Sequence, residues 1–251
     1  MCHPAEYPCI AGKTALLTGA AGGIGKAILR TLHRQGAKVF ALDRSAALGA
    51  FIEAEFASNP IQPVPFTCDL LDIDDLKATI QSIGTKAGKI DFVINCAGDD
   101  TRQDWLKIDE DSWELSQGLN LRHVLFVTQS AYEVMGNEGA VVNLGSKNAV
   151  TKKAGVMGYA TAKAGIMGLT GSLAREVGEQ GIRVNCVMPG LVETERNYEK
   201  WITPETEMRV LERQCIKSVC QPEDVANLVV CLCSSQSRMI SGQTIAIDGG
   251  S

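Results

Sequence analysis

TALLTGAAGGIGKAILRTLH, residues 14–33, decides the architecture. Five residues of strand character run straight into a glycine-rich turn, and that turn opens a segment with Ala27, Ile28 and Leu32 at helical spacing. In a unit of this kind Gly19 allows the tight turn, Gly23 lets backbone approach a pyrophosphate, and Gly25 permits close helix–strand packing. A helix beginning near Ile24 presents unpaired N–H groups and a partial positive charge to phosphates. The spacing is G-x-x-x-G-x-G, distinct from the commoner G-x-G-x-x-G turn.

Six further apolar runs follow: KVFAL (38–42), PVPFT (63–67), DFVIN (91–95), AVVNL (140–144), IRVNCV (182–187) and TIAID (244–248). They lack the in/out alternation of a half-wetted sheet, so both faces are covered, as in parallel sheets crossed by helices. Segments of helical period separate them, such as Leu76, Ile80 and Ile83. The pattern predicts one α/β domain over 1–251, a doubly wound Rossmann-type sheet of seven parallel strands with helices on both faces. Residues 1–12 read as an N-terminal extension. Residues 191–217 are polar and Glu-rich, carry Tyr198 and Trp201, and read as a substrate-binding loop or lid.

Composition excludes several classes. Lys plus Arg number 24 against 29 Asp plus Glu, a net charge of −5 that argues against phosphate-neutralising nucleic-acid binding. The start, MCHPAEYPCIAGK, has no basic n-region or apolar h-region, and no apolar run is long enough to span a bilayer. Nine cysteines, several inside apolar strings such as VINCAG, read as reduced buried thiols in a cytoplasmic protein. Cys231 and Cys233 read as two helix residues facing different ways, so no metal is expected.

Eighteen residues beyond Gly25 the second strand ends at Asp43, whose carboxylate can accept both ribose hydroxyls of an adenosine and would repel a 2′-phosphate. No Arg or Lys comes from position 22, which favours NAD over NADP; Arg44 is the contrary residue. Asp69 either hydrogen-bonds the adenine edge or caps a helix over 72–84. In YATAK, Tyr159 and Lys163 lie four apart on one helix face, with Ser146 ending the fifth strand upstream and Asn120 inside an earlier helix.

These elements resemble the short-chain dehydrogenase/reductase family over nearly the whole chain. The resemblance rests on TGAAGGIG (18–25), NCAG (95–98), Asn120, Ser146, the Tyr159/Lys163 pair, PGLVET (189–194) and SGQTIAIDGG (241–250). Cys96 departs from it, standing where the motif usually has a second Asn. The resemblance implies a catalytic tetrad of Asn120, Ser146, Tyr159 and Lys163. It also implies cofactor contacts from Gly19, Gly23, Ile24, Gly25, Asp43, Arg44, Asp69, Leu70, Asn95, Ala97, Gly98, Tyr159, Lys163, Pro189, Gly190, Val192 and Thr194. Tyr159 would be the general base, Ser146 would hold the substrate oxygen, Lys163 would hold the nicotinamide ribose, and Asn120 would anchor a water that relays protons from Lys163. A tyrosine pKa near 10 leaves a feeble base at neutral pH. An ammonium at about 4 Å contributes on the order of 4 kcal/mol at an effective dielectric of 20. That is about three pKa units, which predicts a phenol brought close to neutrality, with desolvation taking some of the shift back.

Within the family, NLRHVLFVTQ (120–129), AGDDTRQ (97–103), ETERNYEKWITPE (193–205) and RQC (213–215) are similar to the bacterial aldose 1-dehydrogenases of the xylose type. That branch oxidises the anomeric carbon of a cyclic sugar to a lactone with NAD. Sugar hydroxyls need polar partners once water is excluded. Asp99, Asp100, Arg102, Ser146, Lys147, Asn148, Glu193 and Asn197 are the candidates, with Trp201 stacking on the sugar's C–H face. KNAVTKKAG (147–155) differs from the xylose enzymes, so a polyol or a keto-deoxy sugar acid is an alternative substrate, and Lys147 would suit an acid. A 3-oxoacyl reductase is a rival, but YEVMGNEG (132–139) and EVGEQG (176–181) are acidic or neutral where such enzymes dock an acidic carrier. A nucleotide-sensing scaffold is a further rival that an intact Tyr159/Lys163 pair disfavours. The small-residue helix ATAKAGIMG (160–168) predicts a homotetramer or homodimer.

Overall fold

The computed structural model describes residues 5–251. Seven strands form one sheet: β1 Thr14–Thr18, β2 Lys38–Asp43, β3 Val64–Thr67, β4 Phe92–Asn95, β5 Gly139–Leu144, β6 Ile182–Pro189 and β7 Thr244–Ile247. Every pairing is parallel and the order is β3-β2-β1-β4-β5-β6-β7, so the direction of winding reverses between β1 and β4. Open α/β sheets bind ligands at the strand C-termini beside such a reversal.

The helices are α1 Gly23–Arg34, α2 Ala47–Phe56, α3 Ile73–Ala87, α4 Glu110–Gln117, α5 His123–Met135, α6 Asn148–Thr151, α7 Met157–Glu176, α8 Glu195–Lys200, α9 Pro204–Arg213 and α10 Pro222–Cys233. The near-continuous apolar strands are explained by two cores. Ala15 and Leu17 of β1 face α1, α2 and α10 through Ile28, Leu32, Ile52 and Val229, whereas Leu16 faces α3 and α5 through Ile80, Ile83 and Ala131. Each such fully buried aliphatic side chain contributes about 1.5–3 kcal/mol. The only polar residue deep in β4, Asn95, is matched by position: its Nδ2 donates to Asn143 Oδ1 of β5 (2.9 Å) and Thr128 Oγ1 of α5 (3.1 Å). Asn143 continues the chain to Thr170 Oγ1 of α7 at 3.0 Å.

The predicted strands match within two residues at each end. The segment read as an N-terminal extension is docked where it is described. Ile10 is fully buried in the α1 core, and the Tyr7 N–H donates to Gln35 Oε1 at 2.7 Å. Residues 1–4 of that extension lie outside the described residues. The polar 191–217 stretch forms α8 and α9, each opened by a threonine whose hydroxyl caps the first turn, Thr194 on Asn197 N and Thr203 on Thr206 N. Asp72, not Asp69, caps α3, accepting from Asp74 N and Asp75 N. Asp69 instead turns the chain locally by accepting from Leu71 N at 3.0 Å.

Candidate active site

One cavity of about 990 Å³ opens along the C-terminal strand ends, at the large end of the range for small-molecule sites. Gly19, Gly23, Ile24, Gly25, Asp43, Arg44, Asp69 and Leu70 line one end. Ala97, Gly98, Ser146, Tyr159, Lys163, Pro189, Gly190, Val192 and Thr194 line the middle. Asp99, Asp100, Arg102, Lys147, Asn148, Asn197 and Trp201 line the far end. Three expected residues stay outside: Asn95, Asn120 and Glu193. Asn95 is consumed by the polar ladder described above and is 1% exposed, so it shapes the strand end without facing a ligand. Glu193 points away from the cavity to Tyr198 and Gln221, whose side chains both donate to its carboxylate.

The first end is built for a dinucleotide. The N-cap of α1 is Gly22, with no side chain to satisfy the first-turn N–H groups, and this turn lines the cavity. A Cβ on Gly25 would sit 2.0 Å from the Gly19 carbonyl oxygen, so only glycine allows the loop to fold back on the helix start. Gly23 serves a contact that sequence spacing does not show. Its Cβ position lies 2.7 Å from Thr194 Cγ2, at the head of α8. Asp43 stands at the end of β2 as expected and organises the loop, accepting from Ala21 N and Ser45 N, each at 2.9 Å. Arg44 and Ser45 border it.

Asn120 occupies a π-helical turn, Gly118–Arg122, between α4 and α5. Its Oδ1 accepts from Asp99 N (2.8 Å), and its Nδ2 donates to Asp99 O (2.9 Å) and Ser116 O (3.0 Å). Both amide protons are thus spent on holding the loop after β4, and the residue is 1% exposed. Ser146 Oγ accepts from Asn148 N at 3.2 Å and acts to lower the pKa of the Tyr159 phenol. Lys163 Nζ donates to Leu144 O at 2.8 Å and stands 5.7 Å from the Tyr159 ring centroid.

The expected lowering of the Tyr159 phenol is not found. Burial pushes it up to about 12; the Ser146 hydrogen bond works downward and the Asp100 carboxylate upward again. Burial also brings Lys163 down to about 8. Desolvation is the largest effect on both groups. Cys96, beside them in the cavity wall, is pushed up to about 12 by burial and stays a thiol.

At the far end, Arg196 of α8 bridges Asp99 (3.1 Å) and Asp100 (2.9 Å) of the loop after β4. Burial raises the Asp99 carboxyl, but hydrogen bonds from Thr101 and the Arg196 charge hold it below the usual carboxylate range. Trp201 has one face covered by the Arg102 guanidinium, 3.6 Å from a ring centroid. Any stacking on a sugar is therefore confined to the other face. Lys147 is not a free charge for an acidic ligand: it pairs with Asp248 and donates to the Ser251 carbonyl. Asn197 Nδ2 is committed to Val192 O at 2.8 Å.

The cavity is also lined by Thr151, Lys153, Arg196, Thr206, Arg209, Val210 and Arg213, none of which was singled out from sequence. The signal existed in α9. Thr206, Arg209, Val210 and Arg213 follow i, i+3, i+4, i+7 spacing, which marks one helical face.

Residues 19–251 match the sequence family described as enoyl-(acyl carrier protein) reductase. The chain belongs to the short-chain dehydrogenase/reductase family. Among proteins similar to this short-chain dehydrogenase/reductase is D-xylose 1-dehydrogenase of Caulobacter vibrioides, 40% identical over 98% of each chain. The "Probable galactose dehydrogenase GalD" of Rhizobium meliloti is 34% identical over 98% of this chain and 97% of its own. Among solved structures, a blue fluorescent protein from a metagenomic library in complex with NADPH superposes with TM-score 0.90 and 28% identity, over 96% of this chain and 98% of its own. The protein is accordingly a nicotinamide-dependent oxidoreductase acting on a small molecule, and it is similar to aldose dehydrogenases. Among the described residues no helix is long and apolar enough to cross a membrane, and no cluster suited to a metal is present.

Proposed function

We propose that this chain oxidises a sugar hydroxyl, the anomeric C1 of an aldose, to a lactone, with NAD as hydride acceptor and Tyr159 as general base. The observation that carries this reading is the cavity itself. One continuous space joins the uncapped first turn of α1, the Ser146/Tyr159/Lys163 group and a polar far end. Two relatives named as sugar dehydrogenases support the substrate class.

The residues present fit a dinucleotide. The first turn of α1 and its glycines would hold the pyrophosphate; Asp43 has lone pairs left for ribose hydroxyls, and its charge disfavours a 2′-phosphate. Arg44 opposes that preference, so the NAD choice rests on Asp43. When bound, the oxidised nicotinamide supplies a hydride acceptor. Ser146 orients the substrate oxygen through its O–H, which remains a donor while Oγ accepts from Asn148 N. Tyr159 takes the hydroxyl proton. With the phenol near 12 in the free protein, that step needs added positive charge in the site, and Lys163 is the chain's own contribution. Residues 191–217 act as the lid over the far end, tied to the loop after β4 by Arg196 and by Arg102 on Trp201.

An assembly of two or four copies accompanies this reading. On α7, Gly168 and Gly171 have nothing near their Cβ positions, leaving an open small-residue face. A cytoplasmic site also goes with it, supported by eight described cysteines that are all free thiols.

The test is NADH formation in a panel of aldoses, polyols and sugar acids with NAD or NADP, against acetoacetyl substrate with NADPH. Turnover of a sugar with NAD is expected. Turnover of the acetoacetyl substrate alone would replace this reading with that of a 3-oxoacyl reductase.

A further inference from the structure

The far end of the cavity is positive in a protein whose net charge is −5. Its two carboxylates, Asp99 and Asp100, are both engaged by one guanidinium, Arg196, so that trio carries a single residual negative charge. Four more cations line the same end: Arg102 after β4, Lys153 after α6, and Arg209 and Arg213 one turn apart on α9. Among the described residues none of these four has a carboxylate at ion-pair distance. They come from three separate stretches of chain and converge on one space, which a solvated charged surface does not require. Lys153 is held below the usual lysine range by burial and then by the Arg102 charge; Asp100 opposes this lowering and Arg209 adds to it. Lys153, Arg102 and Arg209 are thus within mutual influence. Like charges gathered without counter-charge cost free energy that an anionic ligand recovers.

We propose that the sugar carries an anionic group, a carboxylate or a phosphate, held at the end remote from the oxidised carbon by Lys153, Arg209, Arg102 and Arg213. This rests on the sugar-oxidation reading above and specifies its substrate class. The arrangement suits a group with several acceptor oxygens. Arg209 and Arg213 share one face of α9, and Lys153 comes from a different stretch of chain, after α6. Arg102 is fixed in place by its stack on Trp201 at 3.6 Å. Neither Lys147 nor Lys163 competes for the anion, since Lys147 is paired with Asp248 and Lys163 donates to Leu144 O. A neutral aldose would leave four cations facing its hydroxyls without compensation.

The pyrophosphate of a bound dinucleotide is a competing anion for these cations, and the experiment separates the two uses. Full-length protein is assayed with NAD and three ligands of one ring stereochemistry: glucose, glucuronate and glucose 6-phosphate. Alongside, the Kd for NADH is measured by fluorescence in wild type, Arg209→Gln and Lys153→Gln. The expected result is a kcat/KM for glucuronate or glucose 6-phosphate at least about tenfold above that for glucose. Which of the two leads identifies the anion as carboxylate or phosphate. In each variant the anionic-to-neutral ratio falls by about tenfold, chiefly through KM, while the Kd for NADH stays within twofold. Arg209→Glu takes the ratio below one. Glucose turnover equal to or above both anions overturns the inference and leaves the sugar reading intact. Weakened NADH binding in the variants overturns it as well, by assigning the cations to the dinucleotide. No turnover of any sugar overturns the underlying reading and this inference together. Both substituted positions are exposed, so the variants should fold; circular dichroism confirms that each does.

Discussion

Asn120 grips the peptide of Asp99 from both sides, accepting from its N–H and donating to its C=O. The family resemblance implies a tetrad role for this residue, and its side chain here does structural work on the loop that carries the far-end acids. Asn120→Ala would leave Asp99 N–H, Asp99 C=O and Ser116 C=O without their partner. At about 1 kcal/mol net for each bond, urea denaturation should show a loss of about 2–3 kcal/mol. Because the loop lines the cavity, KM for the sugar should rise as well. A variant as stable as wild type would show that the loop holds itself.

Tyr159→Phe keeps the ring and removes the proton acceptor. Turnover should fall by about 10²–10⁴, while NADH fluorescence still reports binding. Retention of more than about a tenth of the wild-type rate would remove Tyr159 from the role of base.

The raised phenol makes the rate of oxidation depend on pH. Tyr159 is protonated at neutrality in the free protein, so log kcat/KM for oxidation should climb with pH, and reduction should fall over the same range. Lys163→Met removes the nearby cation and should move the inflection upward by about one unit or more. An unchanged inflection would mean that Lys163 acts only on position and not on the charge of the phenol.

His123 gives the fold an acid limit. Burial pulls this fully enclosed imidazole down to about 4, followed in effect by the Lys163 charge, and Nδ1 lies 3.2 Å from Gly118 O. The folded state thus binds the proton less readily than the unfolded chain, whose histidine titrates at the ordinary 6.5. The destabilisation is absent above pH 6.5 and grows as pH falls towards 4, reaching on the order of 3 kcal/mol. Stability curves for wild type and His123→Gln should therefore converge at low pH. Parallel curves would place the acid sensitivity elsewhere.

Glu193 sits outside the cavity, and its carboxylate is held by Tyr198 and Gln221. Glu193→Gln should leave kcat/KM within about twofold and cost at most about 1 kcal/mol of stability, as expected for exposed pairs. A large change in KM would show that this side chain turns inward in the complex.

The strands, their parallel order and the glycine-rich turn were legible because apolar continuity and a strand–turn–helix junction have direct physical causes. The Ser146, Tyr159 and Lys163 positions were legible because a helical four-residue spacing and a strand end place them on one cavity. What escaped depends on contacts between distant segments. Nothing near Asn95 in sequence announces that Asn143 and Thr128 consume its amide. Lys147 looked free because its partner, Asp248, lies a hundred and one residues away. The direction of the Tyr159 shift was misjudged because desolvation, expected to take back only part of the lysine's attraction, is the largest effect on both partners. Arg209 and Arg213 could have been found from the periodicity of α9, had the polar segment been read as a helix instead of a loop.

The missing side chain of Gly23 has a consequence for anyone re-engineering this enzyme. Since a methyl group there would collide with Thr194, the glycine-rich turn and the start of α8 are cut to fit each other. Transplanting a foreign 191–217 segment should succeed only when the donor's residue at position 194 is no bulkier than threonine. A graft that ignores this match would damage the dinucleotide pocket from a distance, although no residue of that pocket had been altered.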